Sequence, residues 1–389
     1  MSSLFEKFQK LEIEVEADKK KTPIMKTDNI EKLSYFKFQI NESSSKFHSY
    51  LLEKRNFIVE EVLKCAYAPK KVIEKELDLA LKLIDQSEQA GSNLDVPQTT
   101  CHCSSLFLFL IEIYLKCIPK TVVKCYVDPT LNSACKAIIQ DFIQKPIEIE
   151  PFDSSSACCS NTSFCSVIVT ENADIHSAVD EIVNGYKFLR DPWMIKKVYV
   201  QENIKEKFLN TLNKRLPQID PVYASCQDLS TNYMKIITKL QEKRIKLIQA
   251  SNDDTMKATV AIGIPLNHLN GSLYAPILVL DFFRTIKDVV GLFNKENLKE
   301  FISIWSENIS ETFEYIKLLN VSTIWVNCYG VFNSKCPFVI NGRKYDMNKA
   351  GREENASGPQ SFFSDNFFFS VTSNDNKSVI IRYGQTFAN

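Results

Sequence analysis

Glycine is scarce in this chain, with 10 among 389 residues, against a usual share of about 7%. Glycine lets backbone approach a phosphate closely or turn left-handed, so a glycine-rich cradle for a dinucleotide has little to be built from. Net charge is missing too. Lys plus Arg and Asp plus Glu number 47 each, so no overall field steers the chain to nucleic acid or to a membrane surface. The apolar run Leu106 to Ile111 is closed by Glu112, far short of the ~20 residues of a membrane span. No basic region leads into a long apolar one at the N-terminus, and a cytoplasmic protein is the expectation. The twelve cysteines then read as free thiols in a reducing compartment.

What is present suits a globular protein. Hydrophobic residues make up 44% and charged residues 24%, and the length allows one large core or two moderate ones. Residues 1 to 45 are polar and charge-rich, with Lys19 to Lys21 and Ser43 to Ser45. They read as an N-terminal arm. Helical spacing follows over Phe47 to Lys64 and Val72 to Ser87. From Thr99 onward strands and helices alternate. Strands are expected at Thr121–Val127, Ile147–Ile149, Ser166–Thr170, Val198–Val200, Ala258–Ile262, Pro276–Phe282, Leu298–Trp305 and Thr323–Val326. Helices are expected at Ser104–Lys116, Asn132–Gln144, Asp174–Phe188, Ile204–Leu216, Asp228–Gln249, Thr285–Asn294 and Glu307–Leu318. The alternation predicts βαβ units and a mainly parallel sheet. Phe367 to Arg382 reads as a hairpin around Ser373 to Asn376.

The most specific text is Val321 to Phe338. A buried strand ending in Trp325-Val326-Asn327-Cys328-Tyr329 runs through Phe332 to Pro337-Phe338, and Gly351-Arg352-Glu353 follows. This resembles the aldehyde dehydrogenase superfamily, where "W-V-N-C-Y" leads through a Phe to "P-F-G-G" and then "G-R-E". Three further blocks are similar to the family in its order. They are Ser104 to Val123; Ile168 to Asp174 with Lys197 to Glu202; and Leu273 to Leu280 with Thr285 to Val290. The resemblance covers roughly residues 97 to 360. It implies an α/β fold with two parallel-sheet domains and a C-terminal hairpin or oligomerisation strand. Residues 46–188 would be a truncated, degenerate NAD-binding-like domain, 189–360 a catalytic-like domain and 361–389 the tail.

The family's reaction needs a Cys thiolate, a carboxylate base, an oxyanion donor and a dinucleotide cleft. Counting back from Gln201 puts the nucleophile's register on Arg190 to Trp193, at Pro192 beside Asp191, and no cysteine lies between Cys165 and Cys226. The base falls on Ser160 in one register and Glu150 in another, and both remain open. The phosphate-side glycine becomes Asp153 or Asp128 in the corresponding registers. The ribose Glu becomes Ser272, the cofactor Lys becomes Val96, and Val339 and Ile340 replace the two glycines after Phe338. The "P-W-N" motif has no counterpart. Phe332, Phe338 and Tyr274 match aromatics that line the family's substrate tunnel and nicotinamide side, so they form a tunnel remnant or the filling of a collapsed cleft.

These losses imply no catalytic residue, no cofactor-binding residue and no bound cofactor. The resulting expectation is an inactive aldehyde dehydrogenase-like scaffold or regulatory subunit. It would be a homo-oligomer or a hetero-oligomer with an active relative, with no nucleic-acid or membrane partner. The alternative is an NAD(P)-dependent aldehyde oxidoreductase with a displaced nucleophile, Cys165 or Cys159, and Glu150 as base. Cys101-His102-Cys103 lacks a second pair at ligand spacing, so free thiols are expected there and no metal site.

Overall fold

In the computed structural model the described residues run from 35 to 383. Outside them lie 41, 67, 88–97, 104, 117–120, 129, 145–147, 151–163, 187–188, 190, 192, 252–255, 270–274, 297–300, 341–342, 346, 348–359, 365 and 373–376. The first elements are β1 (Tyr35–Ile40), α1 (Ser44–Glu53), α2 (Arg55–Leu63), α3 (Lys70–Gln86), β2 (Gln98–Cys103), α4 (Leu106–Leu115), β3 (Thr121–Val127), α5 (Asn132–Ile143) and β4 (Glu148–Glu150). Then come β5 (Cys165–Val169), α6 (Ile175–Gly185), β6 (Ile195–Gln201), α7 (Lys205–Arg215), α8 (Pro221–Ala224), α9 (Gln227–Glu242), β7 (Leu247–Gln249), β8 (Thr259–Ile262), β9 (Ile277–Phe283), α10 (Ile286–Glu296), β10 (Phe301–Trp305), α11 (Ile309–Leu318) and β11 (Thr323–Val326). The chain closes with β12 (Phe338–Ile340), β13 (Arg343–Tyr345), β14 (Gln360–Ser364), β15 (Phe367–Thr372) and β16 (Lys377–Arg382).

The expected α/β architecture is present. A ten-stranded sheet runs β14-β15-β16-β11-β10-β5-β6-β9-β8-β7. Its middle, from β16 to β8, is parallel, and antiparallel strands close both ends. Parallel strands bury both faces, and the alternation along them sorts the side chains into two cores. Val167, Val169, Val198, Val200, Phe301 and Trp325 belong to one. Ile168, Tyr199, Ile302, Ile304, Ile324 and Val326 belong to the other, against Val289 and Phe293 of α10 and Tyr315 of α11. The first core continues into α1 to α5.

The second sheet is mixed rather than parallel. Its order is β2-β3-β1-β4, with β2 parallel to β3, and β1 antiparallel to both β3 and β4. Strand β1 lies in the stretch read as a polar arm. Phe36, Phe38 and Ile40 alternate with Lys37 and Gln39, a strand period masked by the charge around it. Ser43, read as the arm's end, is the N-cap of α1 and accepts from the Lys46 amide. The expected division at residue 188 passes through the large sheet, since β5 sits between β10 and β6.

Two helices differ from expectation. Phe47 to Lys64 is broken at Lys54 into α1 and α2. The long helix over Asp228 to Gln249 stops at Glu242. Arg244 takes φ +54°, its amide donates to Gln241 O, and Ile245 donates to Leu240 O. That pair of bonds is a Schellman closure with arginine where glycine is usual. Leu247, placed on the helix by its spacing, belongs instead to edge strand β7. The hairpin at Phe367–Arg382 is present as β15 and β16. Because β14 covers the other side of β15, the apolar tail strand is interior, and β14 is the edge.

Arg244 is exposed and left-handed, so Arg244→Gly removes the Cβ penalty there. It should raise stability by about 0.5–1 kcal/mol in urea denaturation.

Candidate functional site

The signature strand β11 is followed by Asn327, whose φ is +52°. Asparagine tolerates this conformation better than most residues. Its amide donates to Ile304 O at 2.8 Å. Its side chain accepts from Ser306 N at 3.0 Å and donates to Ser306 O at 2.9 Å. The asparagine thus ties the end of β11 to the end of β10. Gly330 follows with φ +66°, and a Cβ there would lie 3.3 Å from Trp193 Nε1. Both its backbone angle and its neighbour therefore call for glycine.

Trp193 ends the segment where the family's nucleophile would fall. It is buried, and its carbonyl accepts from Tyr329 Oη at 3.0 Å. Its ring meets Phe107 edge-on at 5.1 Å and Phe332 at 4.7 Å. Phe332 also meets Trp325 at 5.5 Å and Phe338 at 4.9 Å, and Phe338 stacks on Tyr345 at 5.2 Å. Phe332 and Phe338 are 3% and 2% exposed. Both expected tunnel residues are therefore packed ring to ring in the core. Tyr274, the third, lies outside the described residues, as do Pro192, Val96, Cys159, Ser160, Asp153, Ser272, Arg352 and Glu353.

Asp191 is buried, and its Oδ2 lies 3.3 Å from Lys75 Nζ. Its Oδ1 is buried with no hydrogen-bond partner among the described residues. Glu76, on the same helix as Lys75, accepts from the Phe107 amide at the start of α4, at 2.9 Å. Burial and the neighbouring Asp191 push the Glu76 carboxyl up to about 8. Burial also raises Asp191, against the pull of Lys75.

Cys165 opens β5 beside this segment, its amide donating to Met194 O at 3.0 Å. Burial pushes its thiol well above the ordinary range, the opposite of an activated nucleophile. Cys328 is likewise buried, its thiol pushed up to about 12. Glu150 sits at the end of β4, paired with Tyr35. Asp128, at the turn from β3 into α5, accepts from the Thr130 amide at 2.9 Å and from its hydroxyl at 2.5 Å. A carboxylate at this helix entry repels a pyrophosphate. In the register that uses Glu150, Asp128 stands where the family has the phosphate-side glycine. Asp174, the "A-D" aspartate, is the N-cap of α6. Partial burial opposes ionisation there, but hydrogen bonds from Ser177 and His176 hold its carboxyl low.

Two buried lysines on β6 were not singled out from the sequence. Lys197 pairs with Asp281 at 2.6 Å and Glu296 at 3.2 Å. Lys196 donates to Ala275 O at 2.5 Å and lies 3.4 Å from Ile277 O. Burial brings its amine down to about 7. It borders a cavity of about 10 Å³, too small for an aldehyde substrate. The only hint in sequence is the pair Lys196-Lys197 inside an apolar run. Among the described residues, no helix is long and apolar enough to cross a membrane.

A family model described as "Protein of unknown function (DUF1487)" matches residues 161–385, more than half of the chain. Retinal dehydrogenase 2 of Gallus gallus is 23% identical over 212 residues, 49% of this chain and 40% of that protein. The chain therefore spans less than half the length of this relative. A Bacillus subtilis structure assigned as an aldehyde dehydrogenase superposes with TM-score 0.57 at 14% identity, covering 73% of this chain and 80% of that one. A mutant of the P. syringae indole-3-acetaldehyde dehydrogenase, in complex with NAD+ and IAA, gives TM-score 0.53 at 13% identity. It covers 87% of this chain and 83% of that one. The fold is aldehyde dehydrogenase-like, and the homology is distant.

Removing the ring at the centre of the aromatic cluster, Phe332→Ala, should cost about 3–5 kcal/mol in equilibrium unfolding. Asn327→Ala should cost about 2–3 kcal/mol, through two lost hydrogen bonds and a strained φ. Thermal melts of both variants beside wild type would rank them.

Proposed function

The chain belongs to the DUF1487 family, and on that footing we propose that it is a catalytically inactive aldehyde dehydrogenase-like protein, serving as a scaffold or regulatory subunit. The observation that carries the reading is Asp191, in the segment Arg190 to Trp193 on which the nucleophile's register falls. It is buried and paired with Lys75, beside a Trp193 ring packed on Phe107 and Phe332. A nucleophile must be exposed to its substrate and low in pKa. The thiol of Cys165, the nearby displaced candidate, is neither.

Loss of dinucleotide binding belongs to the same reading, supported by the Asp128 carboxylate at the entry of α5 and by the scarcity of glycine. The alternative, an NAD(P)-dependent oxidoreductase, draws on the likeness to a structure that holds NAD+. It would rest on Cys159 or Cys165 with Glu150. A partner would be another copy of the chain or an active relative. Strand β14, at the edge of the ten-stranded sheet, is the backbone on which an added strand could pair.

Titration of the purified chain with NAD+ and NADP+ should leave its melting temperature unchanged, and a panel of aldehydes should give no NADH absorbance. A saturable rise in melting temperature together with aldehyde-dependent NADH would replace this reading with the alternative. Native mass spectrometry of the chain mixed with an active aldehyde dehydrogenase from the same cells should show a mixed assembly. Monomer alone in every mixture would remove the regulatory-subunit role.

A further inference from the structure

Strand β7 ends the ten-stranded sheet. Lys246 O accepts from Ile262 N, and Ala250 N donates to Ala258 O, so these residues, with Ile248 between them, aim their backbone at β8. An antiparallel ladder alternates, and Leu247 and Gln249 therefore turn their amides and carbonyls outward. Among the described residues nothing pairs with that side. Ile245, Leu247 and Ile248 are half-buried. Lys239 and Lys243 at the end of α9, and Arg244 and Lys246 in the link to β7, are exposed. None of the four is in an ion pair among the described residues. Glu242 is the one carboxylate from 239 to 246. The negative end of the α9 dipole accounts for Lys239 and Lys243, but Arg244 and Lys246 lie past the helix. Asp253 and Asp254, in the link from β7 to β8, lie outside the described residues and at the other end of β7. Outward backbone groups at a sheet edge are a template for a further strand, and cations beside the edge select an acidic one.

The chain's own sequence holds such a segment. Residues 11–18 alternate Leu11, Ile13, Val15 and Ala17 with Glu12, Glu14, Glu16 and Asp18, the period of a strand with one apolar and one acidic face. Lys10 and Lys19 bound the run. It precedes the described residues, which begin at Tyr35. Fully extended, residues 19–34 span about 50 Å, roughly the diameter of a compact chain of this length, so the segment can reach β7 of its own chain. We infer that residues 11–18 add to β7 as a further strand, bonding to Leu247 and Gln249. Their carboxylates meet the four cations, and their apolar row meets the half-buried side chains of the edge. Charge selects β7 over the other ends of the two larger sheets. Strands β2 and β14 carry no Lys or Arg, and β4 carries Glu148 and Glu150, which repel an acidic neighbour. The inference goes beyond the proposed function and holds whether or not the chain catalyses a reaction.

Two measurements on the full chain test it. A carbodiimide joins a carboxylate to a lysine amine in contact with it. In the monomer it should link Glu12, Glu14 or Glu16 to Lys243 or Lys246. Links from these carboxylates only to other lysines, or only between two copies of the chain, overturn the inference. Hydrogen exchange reports the strand itself. The peptide containing β7 should exchange about tenfold faster in the triple variant Glu12→Lys, Glu14→Lys, Glu16→Lys than in wild type. Adding Lys243→Glu, Arg244→Glu and Lys246→Glu to that variant should bring the rate back toward wild type, since the charges then match again. Ile13→Pro keeps every charge but removes an amide and the extended pairing, and it should accelerate exchange as the triple variant does. Peptides from β5 and β9 should keep their rates throughout, which shows that each variant folds. An unchanged β7 rate in the triple variant or in Ile13→Pro overturns the inference, as does failure of the charge swap to restore it.

Discussion

Burial of the central strands on both faces is the constraint on which the rest depends. Strands β5, β6, β10 and β11 alternate their side chains between two cores, so a slip of one residue would exchange every pair of faces. One core closes under α10 and α11. The other must be closed by α6, α7 and the helices α1 to α5, so the N-terminal layer acts as the lid of the first core. The ring cluster around Phe332 joins them, taking Phe107 from α4, Trp193 from the entry to β6, and Phe338 from β12.

The same packing accounts for the surroundings of Asp191 and Trp193. An active site needs space, a polar lining and access. Around Trp193, rings stand at contact distance, and buried polar groups beside them have partners of their own. Asp191 is answered by Lys75 and Glu76 by a helix amide. Residues of the signature sequence have structural roles of the same kind. Asn327 bridges two strand ends, and Gly330 makes room for an indole. Asp174 caps a helix.

Much of the architecture was legible in sequence. The alternation from Thr99 onward reported the parallel sheet, because strands buried on both faces carry dense β-branched runs and amphipathic helices between them keep a period of 3.6. The misreadings share a cause. Apolar spacing placed Leu247 on a helix that Arg244 ends, since a left-handed arginine has no sequence signal comparable to glycine. The alternation of Phe36, Phe38 and Ile40 was lost in a polar context, and the strands that pair with it, β3 and β4, lie far along the chain. The burial of Glu76 has no local signal, because only tertiary contact tells which charges on an amphipathic helix are covered.

The sequence by itself determined the two periodicities, the buried strand that runs up to Asn327, and the absence of a cysteine between Cys165 and Cys226. Those are local properties, set by residue type and spacing. The tertiary structure alone decided that Phe332 and Phe338 fill the core, that the Phe367 strand is interior, and that Asp191 meets Lys75 across 116 positions of chain. Burial and charge pairing depend on which surfaces meet, and in this chain those surfaces come from elements far apart in the sequence.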